Sequence, residues 1–220
     1  MIIAIDGPAG AGKSTVAKFL ARRLGFLYLD TGAMYRALTL KAIEKGIPAS
    51  DPAALIEMAE ATTIDLVPCK DGSLQVILDG QDVSAGIREP RVSALVSEVA
   101  KIGRIRQRMV RQQRRMGRAQ DTVMDGRDIG TVVFPDAEKK FFLDAQFSER
   151  VRRRHKEFCD TGKTVTPRAV ERDLHNRDAI DSTREVAPLK KAHDAVYIDT
   201  TPLTIEEVVS RIMEELEKNG

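Results

Sequence analysis

At 220 residues, 42% of them hydrophobic and 31% charged, the chain has the composition of one globular domain able to bury a sizeable core, which excludes disordered and fibrous classes. Its 35 Lys and Arg against 33 Asp and Glu leave a formal charge of only +2, so bulk attraction to nucleic acid or membranes is not indicated and any cationic function must be local. Cys69 and Cys159 lie far apart without metal-ligand spacing, the first apolar run is too short for a signal-peptide core, and no stretch approaches a membrane span, so a reducing, cytoplasmic setting is expected.

The first elements carry the strongest signal. A short apolar strand, Ile2-Ile3-Ala4-Ile5, ends at Asp6 and passes into Gly7-Pro8-Ala9-Gly10-Ala11-Gly12-Lys13-Ser14-Thr15. The spacing between Gly7 and Ser14 is G-x-x-x-x-G-K-[ST], the phosphate-binding P-loop. Its glycines let successive backbone N–H groups face one anion, and the helix N-terminus behind them adds a fractional positive charge. Lys13 can reach the outer phosphates, and the Ser14 hydroxyl is placed to ligate Mg²⁺. The loop as a whole predicts binding of a nucleoside triphosphate.

Val16, Leu20 and Leu24, with Ala17 and Ala21, then mark a helix stopped by Gly25. A short strand over 26–29 ends at Asp30-Thr31-Gly32, and this strand–helix–strand order predicts a parallel sheet whose carboxyl ends line a binding crevice. Helices are expected over 33–45, with Arg36 one turn in, and over 52–61. From Ile64 to Val83 the pattern alternates, and Asp71-Gly72 and Asp79-Gly80 signal tight turns, so a small antiparallel insert of at most three strands follows.

Pro90 opens what reads as one long helix to about Gly117. Val92, Leu95, Val96, Val99, Ile102, Met109 and Val110 share one face, and Arg104, Arg108, Arg111, Arg115 and Arg118 line the other as a solvated stripe. Arg106 differs. At about 100° per residue it projects into the apolar face, where an unpaired guanidinium would be costly, so it requires a carboxylate or a ligand. A third strand over 122–125 precedes Gly126-Arg127-Asp128, and a fourth over 140–144 leads to a helix expected to be capped by Ser148 and carrying Arg150, Arg152, Arg153 and Arg154. Thr166-Pro167 restarts a helix on which Val170, Leu174 and Arg177 share a face. The chain passes Asp181 and Arg184 before a fifth strand over 195–199 and a last helix opened by a capping box from Thr204 to Glu207.

Five strands separated by helices predict a P-loop α/β fold, a parallel five-stranded sheet flanked by helices with a small antiparallel β insert. The N-K-x-D element with which a GTPase reads guanine is absent. Arginines recur instead at strand ends and on lid-like helices, at Arg36, Arg127, Arg150, Arg154, Arg177 and Arg184. Phosphoryl transfer depends on positioning and charge neutralisation, which arginine forks supply, so a small-molecule kinase is favoured. A kinase for UMP or a non-nucleotide acceptor, and an RNA-associated ATPase using the arginine stripe, are the rival readings.

Three runs carry a closer resemblance: Asp30-Thr31-Gly32-Ala33-Met34-Tyr35-Arg36, Asp125-Gly126-Arg127-Asp128-Ile129-Gly130-Thr131-Val132-Val133-Phe134-Pro135 and Arg184-Glu185-Val186-Ala187-Pro188-Leu189. Together with the P-loop and the insert, they resemble the bacterial cytidylate (CMP) kinase family over essentially the whole chain. The resemblance implies transfer of the ATP γ-phosphoryl to CMP or dCMP with Mg²⁺, in a chain expected to act as a monomer without nucleic-acid or membrane partners. It implies a core of about 1–60, 90–147 and 188–220, an insert of about 62–90 and an arginine-bearing lid of about 148–187. By the same resemblance Arg36, Arg127 and Arg184 hold the acceptor phosphate, with Asp125 grouped beside them. Thr31, Arg106 and Asp128 read cytosine, and Ser97, Arg177 and Asp181 contact the sugar. Thr31 stands where some members carry Ser, which keeps the hydroxyl. Lys13, Arg127 and the lid arginines Arg150 and Arg154 are the catalytic candidates, the lid match being the loosest.

Overall fold

The structure, a computed structural model, describes residues 1–69 and 74–218. In chain order its first elements are β1 (Ile2–Asp6), α1 (Lys13–Leu24), β2 (Leu27–Asp30), α2 (Thr31–Glu44) and α3 (Pro52–Glu60). The insert follows as β3 (Ile64–Pro68), β4 (Leu74–Leu78) and β5 (Gln81–Asp82), and then come α4 (Pro90–Ala100), α5 (Gly103–Gly117), β6 (Thr122–Gly126) and β7 (Lys139–Asp144). The chain closes with α6 (Phe147–Asp160), α7 (Pro167–Thr183), β8 (Val196–Asp199) and α8 (Ile205–Glu217). Among the described residues no helix is long and apolar enough to cross a membrane.

The parallel sheet has the order β2-β6-β1-β7-β8, and β3-β4-β5 form a separate antiparallel sheet. β1 occupies the centre because both its faces are apolar, as a strand covered on two sides requires. Ile3 and Ile5 pack with Val16 and Leu20 of α1 and Val208 and Ile212 of α8, whereas Ala4 turns to the opposite face with Leu29, Met124, Val110 and Phe134. The parallel register sets Ile5 beside Asp125, Asp6 beside Gly126 and Asp30 beside Asp125. Three strands thus deliver acidic residues to one carboxyl edge, the crevice side of such a sheet.

Beyond β6 the chain makes a π-helical turn, Ile129–Val133, a conformation enriched at functional sites. Both its ends are tied. The Ile129 and Gly130 N–H groups donate to the two oxygens of Asp6 at 2.8 and 2.7 Å, and Arg114 of α5 donates to the carbonyls of Val133 and Val132 at 2.8 and 2.7 Å. These bonds take up backbone groups that a helix terminus leaves unpaired.

Several expected boundaries move. The long helix from Pro90 is two helices, broken at Lys101-Ile102, where Ile102 is extended and leads into α5. The break frees the Ala100 carbonyl from the helical ladder, and Arg106 Nη1 donates to it at 3.0 Å. Leu95, expected on the buried face, is 38% exposed. The helix expected to be capped by Ser148 begins two residues earlier, with Gln146 at the cap and no side-chain bond there, so Ser148 falls inside the first turn. Asp79 and Gly80 both have positive φ, 48° and 84°, and make the tight β4–β5 turn; Asp71-Gly72 lies outside the described residues. Thr166 caps α7 by accepting from Ala169 N–H, and Thr204 and Glu207 form the capping box of α8.

Gly7 shows how closely the loop after β1 is pressed on its neighbour. A Cβ there would lie 1.9 Å from the Leu143 carbonyl oxygen of β7, and φ is +146°. Gly80 is also left-handed, but a Cβ would meet nothing within 4 Å. Gly7→Ala is therefore expected to cost more than about 3 kcal/mol, and Gly80→Ala only about 1 kcal/mol. Urea denaturation of the two variants measures the difference.

Candidate active site

The carboxyl edge of the sheet opens into a cleft of about 430 Å³, bounded by the P-loop, the start of α2, α4, the turn after β6, and α6 and α7. From the loop itself Ala9, Gly10, Gly12, Lys13, Ser14 and Thr15 line it, while Gly7, Pro8 and Ala11 lie behind. Gly10 and Gly12 have φ of 81° and 86°, which glycine adopts without strain. The Pro8 carbonyl accepts from Lys13 Nζ at 2.7 Å, so the ammonium is folded back over its own loop. Burial and the nearby Arg127 charge pull the Lys13 pKa down.

Ser14 Oγ donates to Asp125 Oδ2 at 2.8 Å, and Tyr28 OH donates to Asp125 Oδ1 at 2.8 Å. Having spent its proton, the Ser14 oxygen keeps its lone pairs for a hard cation beside the carboxylate. Among the described residues no group of three His, Cys, Asp or Glu could hold a metal. A cation here would complete its shell from phosphate oxygens and water, the habit of Mg²⁺, so the hydroxyl and carboxylate present fit that ion. Asp125, grouped by sequence with the acceptor-binding residues, thus turns its carboxylate to the P-loop side, because its β6 position sets it opposite Ile5 and next to Asp30.

Across the cleft stands the residue that the helical pattern singled out. Arg106 is 2% exposed, and its Nη2 lies 2.6 Å from Asp128 Oδ2. The Tyr35 ring underlies the guanidinium, 5.2 Å from centroid to Cζ. Thr31 Oγ1 donates to the Asp125 carbonyl at 2.7 Å, which leaves that hydroxyl only lone pairs to offer a ligand. Arg184 Nη2 sits 3.8 Å from Asp128 Oδ1 and its Nη1 3.6 Å from Asp181 Oδ1. Asp181 in turn accepts from Arg127 Nε at 3.0 Å and from Ser97 Oγ at 3.2 Å. Burial works against the Asp181 charge, but Arg127, Arg184 and Arg177 outweigh it and hold its pKa below the usual carboxylate range.

Arg36 donates to Asp30 Oδ2 at 2.7 Å while Asp30 Oδ1 caps α2 through Ala33 N–H at 2.9 Å, so one carboxylate both starts the helix and aims the arginine. Arg177 is buried 3.8 Å from Asp173, and burial with the Arg127 charge lowers its pKa to about 10. Arg150 and Arg154, expected together, part company. Arg150 Nη1 donates to the Ala9 carbonyl at 3.2 Å and to Asp178 at 2.7 Å, and its Nε to the Ala145 carbonyl at 3.1 Å. It braces the P-loop from behind and does not line the cleft, which Arg154 does. Asp6, Tyr28, Tyr35 and Arg88 were not singled out by sequence: the first three read as ordinary strand or helix residues, and Arg88 gave no periodic signal.

A family model for cytidylate kinase matches residues 3–218. A cytidylate kinase from Caldanaerobacter subterraneus subsp. tengcongensis is 51% identical over 99% of this chain and 95% of its own length. One from Geobacillus sp. strain WCH70 is 52% identical over 96% of this chain and 94% of its own. Among solved structures, an uncharacterized protein from Eubacterium ventriosum shares the fold with a TM-score of 0.54 at 14% identity, covering 99% of this chain and 98% of that one.

Burial and the adjacent Asp30 charge push Asp125 up to about 6. The folded state then binds a proton more tightly than the unfolded chain, so this group's contribution to stability falls as pH rises from the ordinary carboxylate value through about 6. In the nucleotide-free protein the Asp125 carboxyl carbon is expected to titrate near pH 6 by NMR. Replacing Asp30→Asn removes the neighbouring charge and should move that midpoint downward.

Proposed function

Because this chain belongs to the cytidylate kinase family, we propose that the arginine-lined cleft is its acceptor site and that Arg106, Asp128 and Thr31 read the base. The protein is an ATP-dependent nucleoside monophosphate kinase that transfers the γ-phosphoryl group of ATP to CMP or dCMP. The observation that carries the base assignment is the buried Arg106–Asp128 pair, 2.6 Å apart on the cleft wall. Cytosine offers acceptors at O2 and N3 and a donor at N4. A guanidinium serves the acceptors, and a carboxylate together with a hydroxyl whose proton is already spent serves the amino group. Uracil presents N–H at N3 and a carbonyl at C4, so Asp128 and Thr31 would face an acceptor and the guanidinium a donor. Sites built on buried polar pairing reject such mismatches strongly.

The remaining side chains fall into place around the transfer. Arg36, Arg127 and Arg184 aim the acceptor phosphate in line with the donor, converting binding energy into orientation. Lys13 and Arg154 neutralise charge on the migrating phosphoryl, which passes through a loose transition state needing cations around its equatorial oxygens. The acceptor is already an anionic nucleophile, so no general base is required. When bound at Ser14 and Asp125, Mg²⁺ supplies charge neutralisation at the donor's outer phosphates. Ser97, Arg177 and Asp181 contact the sugar in this reading. Above the P-loop Phe158, Val170 and Leu174 close over Ala9 as an apolar cluster that keeps water from the triphosphate.

Release of ADP measured with CMP, dCMP, UMP, AMP, shikimate and RNA separates this reading from its rivals, because only the first two should support rapid turnover. Arg106→Met is expected to lower kcat/KM for CMP by about a hundredfold or more and to bring the CMP and UMP values within about tenfold of each other. A variant that kept its preference for CMP would remove Arg106 from base recognition.

A further inference from the structure

α4 presents two buried hydroxyls one turn apart, Ser93 at 1% exposure and Ser97 at 4%, on a helix whose other buried side chains are valine and alanine. Each meets a different helix over the P-loop. Ser97 donates to Asp181 of α7, and Ser93 accepts from Arg154 Nη2 of α6 at 2.7 Å. A serine inside a helix commonly bonds back to its own backbone. Here both reach across to another element.

We propose that Ser93 is a positioning residue for phosphoryl transfer, holding the Arg154 guanidinium inside the cleft from the acceptor side. The other hydrogen bond of Arg154 and its ring contact belong to its own helix and cannot do this. Its Nη1 donates to Glu157 at 2.7 Å, and the Glu157 side chain is 50% exposed; its Cζ lies 4.3 Å from the Phe158 ring centroid. Among the described residues, the hydrogen bond to Ser93 is the one that Arg154 makes outside α6. Electrostatics within the cleft pull in both directions. Arg154 is one of the cations that depress the Arg177 pKa, so those two repel, while Asp173 of α7 attracts Arg154 without a hydrogen bond to fix it. Without Ser93 no hydrogen bond from outside α6 holds the guanidinium against the pull of Glu157 at the rim. The buried Arg154 Nε, which has no hydrogen-bond partner among the described residues, is the donor left over for a phosphoryl oxygen.

A consequence follows for coupling. Ser93 is carried by the helix that also carries Ser97 beside the proposed sugar position, so the placement of Arg154 depends on α4 and α6 being drawn together. Lys163, in the α6–α7 connection, makes a parallel link across the same mouth by donating to the Arg88 carbonyl at 2.8 Å. Arrival of the acceptor and placement of the lid arginine are thereby linked through α4.

This inference rests on the proposed role of Arg154, and a double-mutant cycle tests the two separately. Ser93→Ala is expected to lower kcat about tenfold while leaving KM for CMP and for ATP within about twofold, with an unchanged thermal midpoint. Arg154→Met should lower kcat at least as much, and Ser93→Ala added to Arg154→Met should do nothing further. If Ser93→Ala acts by the same factor in both backgrounds, or changes KM for CMP with kcat intact, Ser93 does not work through Arg154 and the proposal fails. If Arg154→Met alone leaves kcat unchanged, the assignment of Arg154 fails first and Ser93 with it.

Discussion

The π-helical turn after β6 fixes where the two halves of the cleft meet, and it is held by charged side chains at both ends. Asp6 is the last residue of the strand that feeds the P-loop, yet its two oxygens are spent on the N–H groups of Ile129 and Gly130. The donor loop and the turn bearing Arg127 and Asp128 are therefore registered to each other through one carboxylate. Burial raises the Asp6 pKa to about 7, against the opposing pull of those same two N–H groups. Close packing leaves the turn little slack. A Cβ on Gly130 would sit 3.1 Å from Lys140 Cδ and 3.4 Å from Asp6 Oδ2.

Charge is distributed in a way that the whole-chain total conceals. The cleft is lined by ten lysine and arginine side chains and five carboxylates, although the full sequence carries only +2. The surface away from the cleft is accordingly net acidic. A field concentrated in a concave, low-dielectric site draws small anions inward. The carboxylates serve a second purpose, since Asp30, Asp128 and Asp181 each lie against one or more arginines and fix the direction of guanidinium groups that would otherwise repel one another.

What the sequence made legible follows from which physical rule each residue obeys. The P-loop spacing, the parallel order and the caps at Thr166 and Thr204 are local, and the structure has them. Arg106 stood out because a guanidinium on an apolar helical face violates burial rules unless it is paired. Its partner Asp128, 22 residues on, was grouped with it by the family resemblance alone, because no local pattern of the sequence reports a contact made between two elements. The helix break at 101–102 left no trace in the apolar periodicity, because Val99 and Ile102 continue the stripe across it; the reason for the break, a carbonyl offered to Arg106, is tertiary. Asp6 and Tyr28 sit within or at the end of strands, where alternation cannot separate a core residue from one bonded across the sheet edge. Arg150 and Arg154 are one helical turn apart on one helix, yet Arg150 is spent on the carbonyls of Ala9 and Ala145 and on Asp178, whereas Arg154 reaches the cleft.

That difference between spent and available donors separates scaffold from site. Arg150 uses both Nε and Nη1 on protein acceptors, whereas Arg106 Nε, Arg154 Nε, Arg177 Nε and Arg184 Nη2 are buried without a hydrogen-bond partner among the described residues. A buried donor without a partner costs about 1–3 kcal/mol, and native folds rarely retain several unless something other than stability requires them. These four arginines line one cleft, whereas a fifth such arginine donor, Arg108 Nε, lies outside it on a side chain whose Nη2 donates to the Thr62 carbonyl. The fold thus sacrifices stability where a nucleotide's oxygens would restore it, and ligand binding recovers the loss by favouring the folded state alone. The same arrangement explains why the arginines are braced by carboxylates and carbonyls: a flexible guanidinium would find water or a neighbouring acid, and the free N–H would no longer point into the cleft.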